Sequence, residues 1–189
     1  SYLHGVQVYT IILKKLKHIL LYVLTAFFPV GIMNAQPESA GAAFSYGYIG
    51  LEYQHALSED TFLNICLKAE TGEMFSGRST YPGICTSFSW NLILKTWTSR
   101  NGNPIDLFAG PGALIGYGPD FKERNGISFG LKGRLGVQCR FARNCSISLA
   151  IAPTMGMHMV FHKEYISLKY FKNGLIYGFI PELGIRYWF

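Results

Sequence analysis

Charge is scarce in this chain. Asp, Glu, Lys and Arg make up 15% of its 189 residues, against about 25% in ordinary soluble domains. A surface that meets water needs those side chains, so the shortage argues against a simple soluble globule. Long apolar runs are missing as well: after residue 35 no stretch reaches the about 18 unbroken apolar residues of a transmembrane helix. If the remainder crosses a membrane, it does so as strands. There are four cysteines, and none has His or Cys partners at the spacing of a zinc site. No His-x-Ser pair or other compact nucleophile and base motif appears, so the reading is of a protein that is not an enzyme, with no catalytic, metal or cofactor-binding residue and no cofactor. No cluster of basic and stacking aromatic residues marks a nucleic-acid footprint.

What is present points to β structure. Hydrophobic residues reach 49%, aromatics 15%, and glycines number 21, a composition of tight turns and interfacial rings that disfavours a helical bundle. The clearest pattern is the last stretch, Leu175 to Phe189, LIYGFIPELGIRYWF. Leu175, Tyr177, Phe179, Pro181, Leu183, Ile185, Tyr187 and Phe189 share one face, while Glu182, Arg186 and Trp188 fall on the other. A two-residue period is a strand.

Residues 14–35 read KKLKHILLYVLTAFFPVGIMNA. A basic start at Lys14 to His18 followed by an apolar core at Ile19 to Val30 is the layout of a secretory signal peptide. Cleavage is expected after Ala35, leaving Gln36 first, although Met33 stands where a small residue is usual. Residues 1–13 contain no Met and read as an over-extended gene start without structure. The formal charge of +6 falls to +3 once Lys14, Lys15 and Lys17 are removed with this segment.

Residues 36–43 are small and polar, and read as a flexible lead-in; residues 44–189 form the barrel domain. Strands are expected at Phe44–Leu57, Thr61–Thr71, Ile84–Thr98, Ile105–Gly118, Ile127–Phe141, Cys145–Val160 and Leu175–Phe189. An eighth is expected at Tyr165–Phe171, joined to the last by an Asn173-Gly174 hairpin turn. Without it the count is seven. Eight is preferred because a closed ring removes every unpaired edge, at the cost of placing the short turns 58–60, 99–104 and 142–144 outside and the longer loops inside.

Alternation does not say which face points inward, because a soluble lipocalin-like barrel has the same period. The polar residues decide it. In Cys145–Val160 the polar face holds Ser146, Ser148, Ala150, Ala152, Thr154, Gly156 and His158, a poor surface for water but a good filling for a narrow lumen. The fold class expected is therefore an all-β, eight-stranded antiparallel up-and-down transmembrane β-barrel, polar inside and apolar outside.

Glu52, Lys68, Glu70, Lys95, Asp106, Lys132, Arg134, Arg140, Glu182 and Arg186 are then expected in the lumen as a paired plug, with a narrow anion path as the alternative. Cys139 and Cys145 lie symmetrically about Ala142 and are a candidate cross-turn disulfide. Tyr53, Trp97, Tyr117, Phe141, Tyr187 and Trp188 fit aromatic girdles near strand ends; Met155, Met157 and Met159 fit lipid contact. A catalytic rim would need His158 or His162 beside a Ser or an acid.

The terminal Phe189, preceded by apolar residues at every second position, resembles the C-terminal strand of Gram-negative outer-membrane β-barrels. Signal peptide and alternating strands together resemble the small outer-membrane barrels of the opacity and adhesin type. That resemblance implies an outer-membrane location, contact with outer-membrane lipid, Phe189 as a signal to the barrel assembly machinery, and a structural or surface-interaction role for the loops. It names no extracellular ligand and transfers no functional residue.

Overall fold

The computed structural model describes residues 37–71, 83–119, 125–142, 144–161, 166–170 and 179–189. They form ten strand segments: β1 (Glu38–Ser45), β2 (Tyr48–Ala56), β3 (Thr61–Glu70), β4 (Gly83–Thr98), β5 (Pro104–Pro119), β6 (Asn125–Ala142), β7 (Cys145–Ile151), β8 (Thr154–Phe161), β9 (Ile166–Tyr170) and β10 (Glu182–Trp188). Every neighbouring pair is antiparallel. β1 pairs with β2 on one side and with β10 on the other, from Ser39 opposite Trp188 to Phe44 opposite Leu183, which closes the sheet.

The ring has eight members. β7 and β8 both pair with β6 and are one barrel strand interrupted at Ala152 and Pro153. Proline has no N–H to give the ladder, yet Gly133 N still donates to Pro153 O (2.9 Å), so the strand bends without leaving β6. β9 pairs with β8, and β10 with β7. β9 and β10 therefore run in the same direction as successive pieces of the eighth strand. They are not the two arms of a hairpin, which corrects the expectation at Asn173-Gly174; that dipeptide itself lies outside the described residues, as does the proposed signal segment.

The first member of the ring is one the sequence pattern did not mark. Residues 38–45 are β1, hydrogen-bonded on both sides, where a flexible lead-in was expected. Apart from Phe44, ESAGAAFS lacks the large apolar residues that mark a strand: its outward positions Ala40 and Ala42 are small, and so are its inward positions Ser39, Gly41 and Ala43. Gly41 stands opposite Glu52 and Arg186, and a Cβ there would run into the backbone of Ile185.

This shift of one strand also reverses the expected loop arrangement. Glu38 and Phe189 are joined by a bond from Phe189 N to Glu38 O (2.9 Å), so both ends of the barrel chain lie at one rim. The strand ends joined by 57–60, 99–103 and 143–144 lie at that same rim, and the strand ends joined by 46–47, 71–82, 120–124 and 162–165 at the opposite one. The 99–103 turn closes through Ser99 N to Asn103 O (2.8 Å), with Gly102 at φ 79, a conformation glycine adopts without strain.

The radial pattern is inverted relative to a soluble protein. Leu51, Ile84, Ile115 and Leu131 point outward, Leu131 with 72% of its surface exposed, while Asn64, Ser87, Asn91, Ser146 and Arg186 are buried. The only large apolar cluster inside, among the described residues, is Phe62 against Phe108 with Ala150 and Ile93; the two rings meet edge to face at 5.2 Å. Met155 and Met157 are exposed on the outer wall, as are Trp97, Tyr117, Phe141 and Tyr187. Trp188 departs from the expected girdle. It turns inward, and its Nε1 donates to Ser146 Oγ (2.9 Å).

Candidate functional site

The lumen holds the chemistry of this fold, and Glu52 is its centre. Glu52 lies on the inward face of β2, opposite Gly41 and Cys66. Arg134 Nη2 donates to its Oε1 (2.7 Å), Asn64 Nδ2 to the same oxygen (2.6 Å), and Arg186 Nη1 stands 2.8 Å from Oε2. These residues come from β2, β3, β6 and β10, so one carboxylate ties four strands across the barrel. Arg186 Nη2 further donates to Gln138 Oε1 (2.6 Å). Both arginine side chains and the carboxylate are almost completely buried.

Glu182 makes a second knot. Lys68 Nζ lies 3.2 Å from its Oε1 and Arg134 Nε 3.8 Å from its Oε2, which joins this knot to the first. Lys68 Nζ also sits 3.8 Å above the Tyr48 ring. Lys132 Nζ donates to Ser87 Oγ (3.2 Å). Toward the rim of the chain ends, Asp106 Oδ1 accepts from Thr96 Oγ1 (2.8 Å), and Arg140 Nη2 lies 3.6 Å from Asp106 Oδ2.

Of the ten residues expected in the lumen, Glu52, Lys68, Asp106, Lys132, Arg134, Arg140, Glu182 and Arg186 face inward, five cations against three carboxylates. Two do not. Lys95 is exposed because β4 carries a bulge between Ile93 and Lys95; one extra residue moves every later side chain to the other face. Ile93, ahead of the bulge, faces inward as Asn91 does, opposite Phe108; beyond the bulge Thr96 comes opposite Asp106, and Lys95 stacks outside against Trp97 (5.3 Å). Glu70 is exposed because it ends β3 at the rim of the longer connections.

The candidate disulfide does not form. All four cysteines are free, and a register shift between Arg140 and Ala142 places Cys145 opposite Ala142 and Cys139 opposite Ile147. The hairpin turns between Ala142 and Cys145 and not symmetrically about Ala142, so the two cysteines do not come opposite one another. Cys66 and Cys85 are buried in the lumen, offset by two register positions across β3 and β4. Among the described residues no group of three or more His, Cys, Asp or Glu is disposed to hold a metal ion.

Sequence reasoning weighted charge and so passed over the neutral members of the network. Asn64 and Gln138 lie on the inward faces of β3 and β6, where the two-residue alternation that locates Glu52 locates them too. One contact on the other side of the lumen was not legible: His158 Nδ1 and Ser128 Oγ lie 2.8 Å apart, partners across β6 and β8. Both are buried inside the barrel, away from its apolar outer wall.

Fold and lumen together define a class: a closed eight-stranded up-and-down antiparallel β-barrel, apolar outside, with an ion-paired polar interior. No family model, no curated protein and no solved structure matches the chain.

Proposed function

We propose that this protein is a small bacterial outer-membrane β-barrel, exported with a cleaved signal peptide, with a structural or surface-interaction role through the loops of one rim and a lumen closed by its own side chains. The observation that carries this reading is the radial inversion. A soluble monomer rarely exposes an apolar patch beyond a few hundred Å², and here the outer wall is apolar on strand after strand. β4 and β5, of 16 residues each, and β6, of 18, exceed the about 9–11 residues a tilted transmembrane strand needs. A rim that holds both chain ends matches the periplasmic side of such barrels, and the longest connection, 71–82, at the opposite rim matches the outer side.

On this reading the partners are outer-membrane lipid, the assembly machinery through Phe189, and an extracellular ligand met by the loops. Nucleic acid is not among them, and the protein is not an enzyme. The arginine and glutamate knots fill the lumen, which favours a plug over conduction. A narrow pore or a barrel handling a hydrophobe is the second reading, supported by the lumen's surplus of cations. A lipid-modifying rim enzyme draws support only from the Ser128 and His158 contact, which lies inside the wall.

The test is outer-membrane fractionation with heat-modifiability. Expressed with its own signal, the chain should fractionate with the outer membrane, and its unboiled band should migrate faster than its boiled band. A soluble periplasmic product with no mobility difference would refute the membrane reading.

A further inference from the structure

The rim that carries the chain ends contains a chamber of about 230 Å³, the space of about eight liquid waters. Its floor is apolar, with Phe62 and Ile93 facing it; its wall carries Gln54, Asp106, Arg140 and Trp188. The charged groups of this wall are incompletely matched. Asp106 is 4% exposed, and with Oδ1 taken by Thr96 its Oδ2 has no hydrogen-bond donor. Arg140 Nη2 stands 3.6 Å from that oxygen, beyond an ordinary charge-assisted hydrogen bond of about 2.7–2.9 Å. Arg140 Nε and Gln54 Oε1 are also buried without a partner. The guanidinium lies 4.9 Å from the Trp188 ring, whose Nε1 donates to Ser146 Oγ.

An anionic acceptor, a neutral acceptor and a cationic donor thus border one small chamber with an apolar floor. Buried polar groups without partners cost free energy, and a ligand that supplies both partners recovers it. We propose that this chamber binds a small apolar amino acid as its zwitterion, of the size of leucine or methionine. The ammonium donates to Asp106 Oδ2 and Gln54 Oε1, the carboxylate accepts from Arg140, and the side chain rests on Phe62 and Ile93. The proposal rests on the barrel alone and holds whether or not the outer wall meets lipid.

Trp188 lines the chamber, so it reports on occupancy once Trp90 and Trp97, both on the outer surface, are replaced by Phe. The folded protein in detergent micelles is titrated with L-leucine, with 3-methylbutylamine, which lacks the carboxylate, and with 4-methylpentanoate, which lacks the ammonium. Leucine should shift Trp188 emission saturably, and each truncated probe should bind at least about tenfold more weakly, the loss expected of one hydrogen bond to a charged group. D106N should weaken leucine by at least about tenfold and leave 4-methylpentanoate unchanged; R140Q should weaken leucine similarly and leave 3-methylbutylamine unchanged. A flat leucine titration, or equal binding of all three probes, overturns the proposal. The probe series is measured on protein with the chamber residues intact, so it stands even if a chamber variant fails to fold.

Discussion

Replacing Glu52 by Gln removes one negative charge and almost no volume, yet it leaves Arg134 and Arg186 facing each other in the middle of the barrel. The two guanidinium groups lie 2.7 and 2.8 Å from the carboxylate oxygens. At an effective dielectric of about 20, a unit pair at about 4 Å already attracts by about 4 kcal/mol, and these pairs are closer. Relief of the carboxylate's own desolvation offsets part of that, and breaking a buried pair by deleting one partner costs about 3–5 kcal/mol net. The expected loss is therefore about two to three and a half orders of magnitude in the folding equilibrium. The assay is urea unfolding of the barrel in lipid vesicles, with the folded fraction read from unboiled gel mobility. Arg186→Gln should cost less, because it leaves Glu52 paired with Arg134 and Asn64, and the E52Q/R186Q double variant should be more stable than the sum of the two losses. If E52Q falls within about 0.5 kcal/mol of the parent, as an ordinary surface change would, the lumen is hydrated and the knot is not a plug.

Two further changes test the wall and the seam. Leu131, 72% exposed and near the middle of β6, should cost about 2–4 kcal/mol when changed to Arg if lipid surrounds it; the same urea titration in vesicles would instead show no loss if the outer face meets water. Gly41→Val places a branched side chain against the backbone of Ile185, where β1 meets β10, and should cost at least the about 1–3 kcal/mol typical of overpacking. A G41V barrel that unfolds at the parent's urea concentration would show that the seam has room to spare.

The sequence by itself determined the faces. Alternation assigned inside and outside correctly along β2, β3, β6, the β7 and β8 strand and β10, because a strand turns successive side chains to opposite sides whatever its neighbours are. The small and hydroxylated residues opposite the apolar face identified that side as the lumen, since a narrow barrel has no room for larger ones. Eight of the ten expected lumen charges followed from this alone. What only the tertiary structure decided was pairing and register. β1 carries little apolar signature, because its outward positions hold Ala40 and Ala42 with Phe44 alone large, and its inward residues are small beside Glu52 and Arg186 from elsewhere in the chain. β9 and β10 look like two strands and act as one, because both lie along the strand formed by β7 and β8. Lys95 depended on a single bulged residue, which local pattern does not reveal: a bulge is fixed by the partner strand and by the closure of the ring, and one added residue reverses every face beyond it. Cys139 and Cys145 depended on where the hairpin turns, between Ala142 and Cys145.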